Sequence, residues 1–333
     1  MSDRPKISVA VITYNQQDVL PQALDSVLMQ QGDFDLEIIV GEDCSPDNTY
    51  AVCLDYQRRY PDVIRVLHGP QNIGITANFF RVLQACTGDF IADLDGDDYY
   101  CDPLAFQKQL TYFGQHPEVG VLAPNGYSYY VKRNKKVLGR NEIVNKVDAK
   151  EFFFNPNHSG GVIIQGSGSM LRSELLRYLD YDEMLRRKLP VEDYPIQAIW
   201  SQHTKFGWMP DPIYVYRIYK TSSTFVPVTH PKYLSINKGL MDTRRYLNEL
   251  FPQDACFTEE WMQDYEFYKE YLLYLHKWQY GKAKALLASA EETKAYNQPH
   301  YRQAKRMTRN RLRFIAFAMY KEWTYIKDIK KRT

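Results

Sequence analysis

No stretch of this chain approaches the roughly 18 consecutive apolar residues that a membrane span requires. The opening MSDRPKISVAVITYN has only a short apolar run, and no small-residue cleavage site follows it. That is not a signal-peptide layout, and a cytoplasmic location is expected. Cysteine is sparse. Cys44, Cys53, Cys86, Cys101 and Cys256 are too scattered for a disulfide framework, and no C-x-x-C pair points to zinc or redox work. They read as reduced and mostly buried side chains. Also missing is a Gly-x-Gly-x-x-Gly after the first strand pattern, which argues against a dinucleotide-type Rossmann site. No internal repeat or low-complexity segment stands out.

What is present is ordinary in bulk and uneven in detail. The 333 residues are 44% hydrophobic, enough for a large core or two structural units. Net charge is +2, but residues 300–333 hold 11 Lys or Arg against 2 Asp or Glu, a balance of +9. The body is therefore mildly acidic, at −7, and the tail strongly basic. Such asymmetry points to an anionic surface as partner.

Along the first third, apolar β-branched runs alternate with helical spacing. Ile7–Thr13, Leu36–Val40, Val63–Leu67 and Phe90–Leu94 read as strands. Helices follow at Leu20–Leu28, Thr49–Tyr60 and up to Cys86. Four such alternations with short joints mean an α/β domain with a parallel sheet. Ligands of such sheets sit beyond the carboxyl ends of the strands. Tyr14, Asp43, Asn72 and Asp95 all fall there. The second half reads as mixed α+β. A helix is expected over Phe106–Phe113, strands at Val119–Leu122, Ser169–Leu171, Phe206–Met209 and Ile213–Ile218, and a hairpin of Gly126–Val131 with Lys136–Leu138. From Pro231 the pattern is helical, with Trp261–Ala290 breaking at Gly281. Leu312, Ile315, Ala316, Met319, Tyr320, Trp323 and Ile326 form one apolar stripe among basic residues. Such a helix either lies in a membrane interface or packs its stripe on the protein.

The run FIADLDGDDYY, Phe90–Tyr100, carries the most chemistry. Asp95, Asp97 and Asp98 cluster where a strand ends. Packing these charges together is costly unless a cation joins them. Mg²⁺ and Mn²⁺ take oxygen ligands, often one or two carboxylates plus substrate phosphates. The cluster reads as a metal-held phosphate site, with a solvated acidic turn as the plain alternative.

These pieces, in this order, resemble the inverting family 2 glycosyltransferases of the GT-A fold. The resemblance runs over about residues 5–225, through ISVAVITYN (Ile7–Asn15), EDCSPDNT (Glu42–Thr49), NIGITAN (Asn72–Asn78) and DGDD (Asp95–Asp98), then Val191–Ile196 and Tyr216-Arg217. The stretch Gly88–Gln109 resembles a bacterial branch of that family. It implies a Rossmann-like, mostly parallel sheet flanked by helices, with a C-terminal helical extension. The domain would span 1–228, with a nucleotide-sugar half at about 1–102 and an acceptor half at 103–228. A helical region would fill 229–333.

By the same resemblance, Asp97 is the direct ligand of a divalent Mn²⁺ or Mg²⁺. Asp95 contacts the ribose or sugar, or reaches the metal through water, and Asp98 braces the loop. Tyr14 offers a flat face to the base and Asp43 accepts the N3–H of uracil or thymine. Read alone, Tyr14 has packing at a strand end as its lesser alternative, and Asp43 is equally a helix cap. Asn15, Glu42, Asn72, Gly74 and Asn78 complete the nucleotide-sugar set. Asp193 matches the general base, with Glu192 as the neighbouring alternative; alone, Asp193 reads as an acid complementing a helix dipole. Ser222, Ser223 and Thr224 sit in a loop able to close over the donor.

Two departures stand out. Many relatives place an Arg near Phe79, where this chain has Asn78-Phe79-Phe80 and Arg81. Relatives also often have Tyr-Arg-x-His where Tyr216-Arg217-Ile218-Tyr219 stands; His158 and His230 are the substitutes at hand.

The expected activity is metal-dependent, inverting hexosyl transfer in polysaccharide biosynthesis. The donor is a nucleoside-diphosphate sugar, UDP favoured, and the acceptor a hydroxyl of a glycan or lipid-linked glycan. Residues 300–333 would bring the protein to the inner face of the cell membrane as a peripheral contact, and no nucleic acid is expected. The rivals are a sugar nucleotidyltransferase and a nucleotide-sugar-binding protein without turnover. The first usually needs a Gly-rich basic loop after the first strand, and Ile12–Gln17 has neither Gly nor Lys.

Overall fold

The computed structural model describes residues 4–139, 147–156, 163–164, 166–189, 193–219, 228, 232–292 and 299–332. Glu192, Ser222, Ser223, Thr224, His158 and His230 lie outside them. Chain contacts divide the protein into two compact units, Met1–Phe153 with Gly160–Lys220, and Phe154–Ser159 with Thr221–Thr333.

The first unit begins β1 (Lys6–Thr13), α1 (Leu20–Leu28), β2 (Asp35–Glu42), α2 (Thr49–Arg59), β3 (Ile64–Leu67), α3 (Ile75–Ala85) and β4 (Phe90–Asp95). It continues with β5 (Tyr99–Tyr100), α4 (Ala105–Gln115), β6 (Val119–Tyr130), β7 (Lys135–Leu138), α5 (Ala149–Phe153), β8 (Met170–Arg172), α6 (Tyr181–Arg186), α7 (Asp193–Trp200) and β9 (Lys205–Ile218). Among the described residues the nine strands make one sheet, ordered β3-β2-β1-β4-β8-β6-β9-β5, with β7 beside β6. The first four in that order are parallel, as their β-branched sequences require. β8 enters antiparallel between β4 and β6, and the hairpin pairs Tyr127 with Leu138 as expected.

Register sets the rim. Thr13 lies opposite Glu42, and Ile12 opposite Asp95, so the loops after β1, β2 and β4 leave the sheet at one level. β5 starts only four residues after β4 ends, yet β8, β6 and β9 stand between them in the sheet. The sheet therefore curls, and Gly96–Asp98 bridges the gap. Along β4 the faces alternate. Phe90, Ala92 and Leu94 join a core with Leu20, Leu24 and Phe106 of α1 and α4, while Ile91 and Asp93 face Phe79 and Leu83 of α3 and Ile196 of α7.

Two expected strands, Phe206–Met209 and Ile213–Ile218, are one strand. Met209 pairs with Pro124 and Pro212 with Asn125, so Pro210 and Asp211 bulge out between them. Proline lacks the N–H a ladder needs, which makes the segment look broken in sequence and bulged in the fold.

The second unit is helical: α8 (Tyr233–Leu250), α9 (Glu259–His276), α10 (Tyr280–Glu292), α11 (Pro299–Met307) and α12 (Arg311–Arg332). Tyr271, Leu275, Ala283, Tyr301, Ala304 and Phe314 form its main core. Arg244 is fully buried, its guanidinium within 5.2 Å of the ring centres of Phe257, Trp261 and Tyr265. The break expected at Gly281 comes earlier. Gln279 N donates to Tyr274 O and Trp278 N to Leu275 O, with Trp278 left-handed at φ 58°. That is a Schellman stop with Trp in the place glycine usually takes, and Gly281 sits in the first turn of α10.

Candidate active site

The loops after β1, β2 and β3 are stitched together at the rim. Asn15, left-handed at φ 56°, donates its N–H to Ser45 Oγ at 3.0 Å. Tyr14 beside it is 46% exposed, so its ring face is open to a flat partner. Asp43 is buried, and its two oxygens accept from Ile73 N at 2.8 Å and Gly74 N at 2.9 Å. Asn72 Nδ2 donates to Asp43 O at 2.9 Å. Gly74 takes φ 87°, a conformation that glycine adopts without strain.

Glu42 and Asn78 lie behind this rim. Glu42 is fully buried, accepting from Ser45 N at 2.7 Å and Cys44 N at 3.2 Å and lying 2.6 Å from His68 Nδ1. His68 in turn stacks on Tyr50 at 3.9 Å. Asn78 Nδ2 donates to Gly41 O at 2.8 Å. Arg81, the cation nearest the missing family Arg, donates to Asn78 Oδ1, Glu42 O and Leu67 O. Its guanidinium thus ties β2 to β3. Phe79 is buried against β4 and α7.

The acidic turn brings three carboxylates together. Ligand atoms of Asp95, Asp97 and Asp98 all lie within 4.8 Å of one another. Asp95 N donates to Ser167 Oγ at 3.0 Å. Asp98 is fully buried and accepts from Arg217 N at 2.7 Å. Arg217 also donates Nη1 to Asp97 O and Nη2 to Gln22 Oε1, and stacks over Tyr99 at 4.7 Å. Burial pushes the Asp97 carboxyl up, against the pull of Arg217. Burial and the charges of Asp95 and Asp97 push Asp98 well up. Asp98 Oδ2 is buried, and the Ser167 hydroxyl partly offsets the upward push on this carboxyl. Three converging carboxylates are the oxygen donor set a hard divalent cation takes, so these residues fit such an ion. Gly96 is required here, since a Cβ would stand 3.0 Å from Ile12 O and closer still to Thr13. Burial raises the Tyr219 hydroxyl too, and Arg217, Asp97 and Asp98 are the charges it senses. The tyrosine that replaces the family His therefore stands near this turn.

Asp193 opens α7 and lines a small, partly enclosed cavity with Asp93, Phe79, Ile164, Gln197 and Trp200. Gln197, one turn later, accepts from Ile163 N and Ile164 N and donates to Ile164 O at 2.7 Å. It pins the helix that carries Asp193. The roles of Gln197, Ser167 and Gln22 had no motif to announce them, since each rests on a contact distant in sequence.

Solved structures with this fold include S. aureus TarS 1–349 in complex with UDP-GlcNAc. It is similar at TM-score 0.56 and 16% identity, covering 91% of each chain. The mannosyltransferase PcManGT of Pyrobaculum calidifontis, in complex with GDP-Man and Mn²⁺, is similar at TM-score 0.53 and 14% identity, covering 96% of this chain and 88% of that one. The sheet is thus a GT-A fold. The uncharacterized protein Rv1520 of Mycobacterium tuberculosis is 40% identical over 115 residues, 34% of this chain and 33% of the relative, so the match spans a third of that protein's length. The model of glycosyl transferase family 2 matches residues 8–179, from the middle of β1 past β8. That is more than half of the chain, and it includes the rim loops and the acidic turn: the protein belongs to glycosyltransferase family 2 and is an enzyme of that class.

Proposed function

We propose that this glycosyltransferase is metal-dependent and inverting. It takes a sugar from a nucleoside diphosphate, UDP favoured, and places it on a hydroxyl of a glycan or lipid-linked glycan. The Asp95, Asp97 and Asp98 cluster carries the reading. Asp97 and Asp95 would hold Mn²⁺ or Mg²⁺, which supplies charge stabilisation to the departing diphosphate. Tyr14 stacks on the base. Asp43, held by two backbone N–H groups, keeps lone pairs for the N3–H of uracil. Asn15, Asn72 and Gly74 frame that pocket, and Glu42 and Asn78 hold its loops from behind.

Asp193 takes the proton of the acceptor hydroxyl as it attacks the anomeric carbon. Attack on the face opposite the diphosphate inverts the configuration. The donor half lies in about 1–102, the acceptor half in 103–228, and the helical region in 229–333. UDP is supported by the UDP-GlcNAc complex of TarS, and a metal by the Mn²⁺ complex of PcManGT.

The direct test is calorimetric titration of UDP with and without Mn²⁺. The metal is expected to tighten binding about tenfold or more in the parent and to have no effect in Asp97→Asn. Equal binding in all four combinations would remove the metal from the mechanism.

A further inference from the structure

The expected apolar stripe of α12 keeps to one face, and its described members do not join the core of the second unit. Phe314 and Ala318 turn inward and are buried in the core of the second unit. Leu312, Ala316, Met319 and Tyr320 are exposed, Leu312 at 79%. At about 100° per residue these four fall within one arc of about 100°, opposite Phe314 and Ala318. Residues 299–321 contain seven Lys or Arg and no Asp or Glu. Six of the seven (Arg302, Lys305, Arg306, Arg309, Arg311 and Arg313) are exposed, and Arg311 and Arg313 flank the apolar arc on either side. No helix among the described residues is long and apolar enough to cross a membrane.

We propose that the outer face of α12, with the basic residues of α11 beside it, is a seat for an anionic lipid bilayer. A helix lying in the interface needs an apolar face to bury among acyl chains and cations at headgroup depth, and this surface offers both. A single-stranded nucleic acid would instead meet a platform of aromatic rings, and this arc is three-quarters aliphatic. The cations draw the protein to the surface, and Leu312, Met319 and Tyr320 hold it there. This surface lies outside the catalytic loops, and binding to it is read without turnover. Its failure would leave the donor chemistry standing, and the reverse also holds.

The test is flotation of the full chain with phosphatidylcholine vesicles, plain or mixed with phosphatidylglycerol, at low and high salt. Binding is expected only to the anionic vesicles and is expected to weaken with salt. Two variants are compared with the parent. The first is Leu312→Gln with Met319→Gln, chosen because Gln sustains a helix. The second is Arg309→Ser with Arg313→Ser. Each is expected to lower the bound fraction about tenfold while circular dichroism stays unchanged. If the Gln pair floats as well as the parent, the apolar arc does not insert and the proposal fails. It fails equally if polyphosphate or duplex RNA binds the parent more tightly than the anionic vesicles do, since charge alone would then explain the surface.

Discussion

At the residue scale, the candidate site has groups that hold the rim and, on the proposed reading, groups that meet substrate. Glu42, Asn78, Arg81 and Arg217 use most of their polar atoms on backbone and on neighbouring side chains such as His68 and Gln22. Tyr14 stays open to solvent, and Asp193 is placed at the mouth of a helix. Asp193→Asn is therefore expected to cut kcat by about 10²-fold or more with donor affinity unchanged, measured by turnover and UDP-sugar titration together. Equal turnover in the variant would move the base elsewhere. Gly41 is a different kind of residue. A Cβ there would stand 2.6 Å from Asn78 Oδ1 and press on a methyl of Val82. Gly41→Ala is expected to cost about 1–3 kcal/mol in urea unfolding, because a packed β2–α3 contact has no slack to absorb a methyl.

At the scale of elements, the edge of the sheet away from the site has its own polar staple. Glu37 on β2 accepts from Lys6 Nζ at 2.7 Å, from Ser8 on β1, and from Thr87 N at 2.7 Å just before β4. Burial pushes the Glu37 carboxyl up, but these hydrogen bonds outweigh it and hold the group below its ordinary 4.5. A folded value below the unfolded one contributes stability above about pH 4.5, and that stability is lost as pH falls through the folded value. Urea midpoints of the parent and Glu37→Gln are thus expected to differ most near neutrality and to converge in acid. Donor affinity should stay the same in the variant, since the staple lies at the opposite edge from the rim. A gap that widens as pH falls would contradict this account.

Elements also show where sequence was readable. The strands β1 to β4 and their helices were legible because buried parallel strands write continuous β-branched runs and each crossover helix writes its own period. The long β9 was not, since Pro210 and Pro212 mimic a break. The stop before α10 was not, because Trp278 occupies a left-handed position that glycine usually marks. Which way the apolar stripe of α12 faces was not, because such a stripe reads the same whether it packs inward or points to solvent.

At the scale of the whole molecule, ligand binding and folding are linked. Anything that binds the folded chain alone stabilises it by mass action, by about 2.7 kcal/mol at a hundredfold excess over Kd, and so raises its melting temperature. A thermal-shift panel of UDP-, dTDP- and GDP-sugars is expected to show the largest rise with a UDP-sugar and Mn²⁺ together. A rise that ignores the metal, or that favours GDP, would redirect the assignment of the base pocket at Tyr14 and Asp43.

By itself the sequence determined the family, the parallel half of the sheet and the rim on which Tyr14, Asp43, Asn72 and Asp95 gather, because these follow from short-range pattern and strand polarity. Only the tertiary structure decided that Arg217 grips the acidic turn from 120 positions away, that Gln197 pins the helix of Asp193, and which apolar residues of α12 stay outside. Those outcomes depend on contacts between segments distant in the chain, whose geometry no local period encodes.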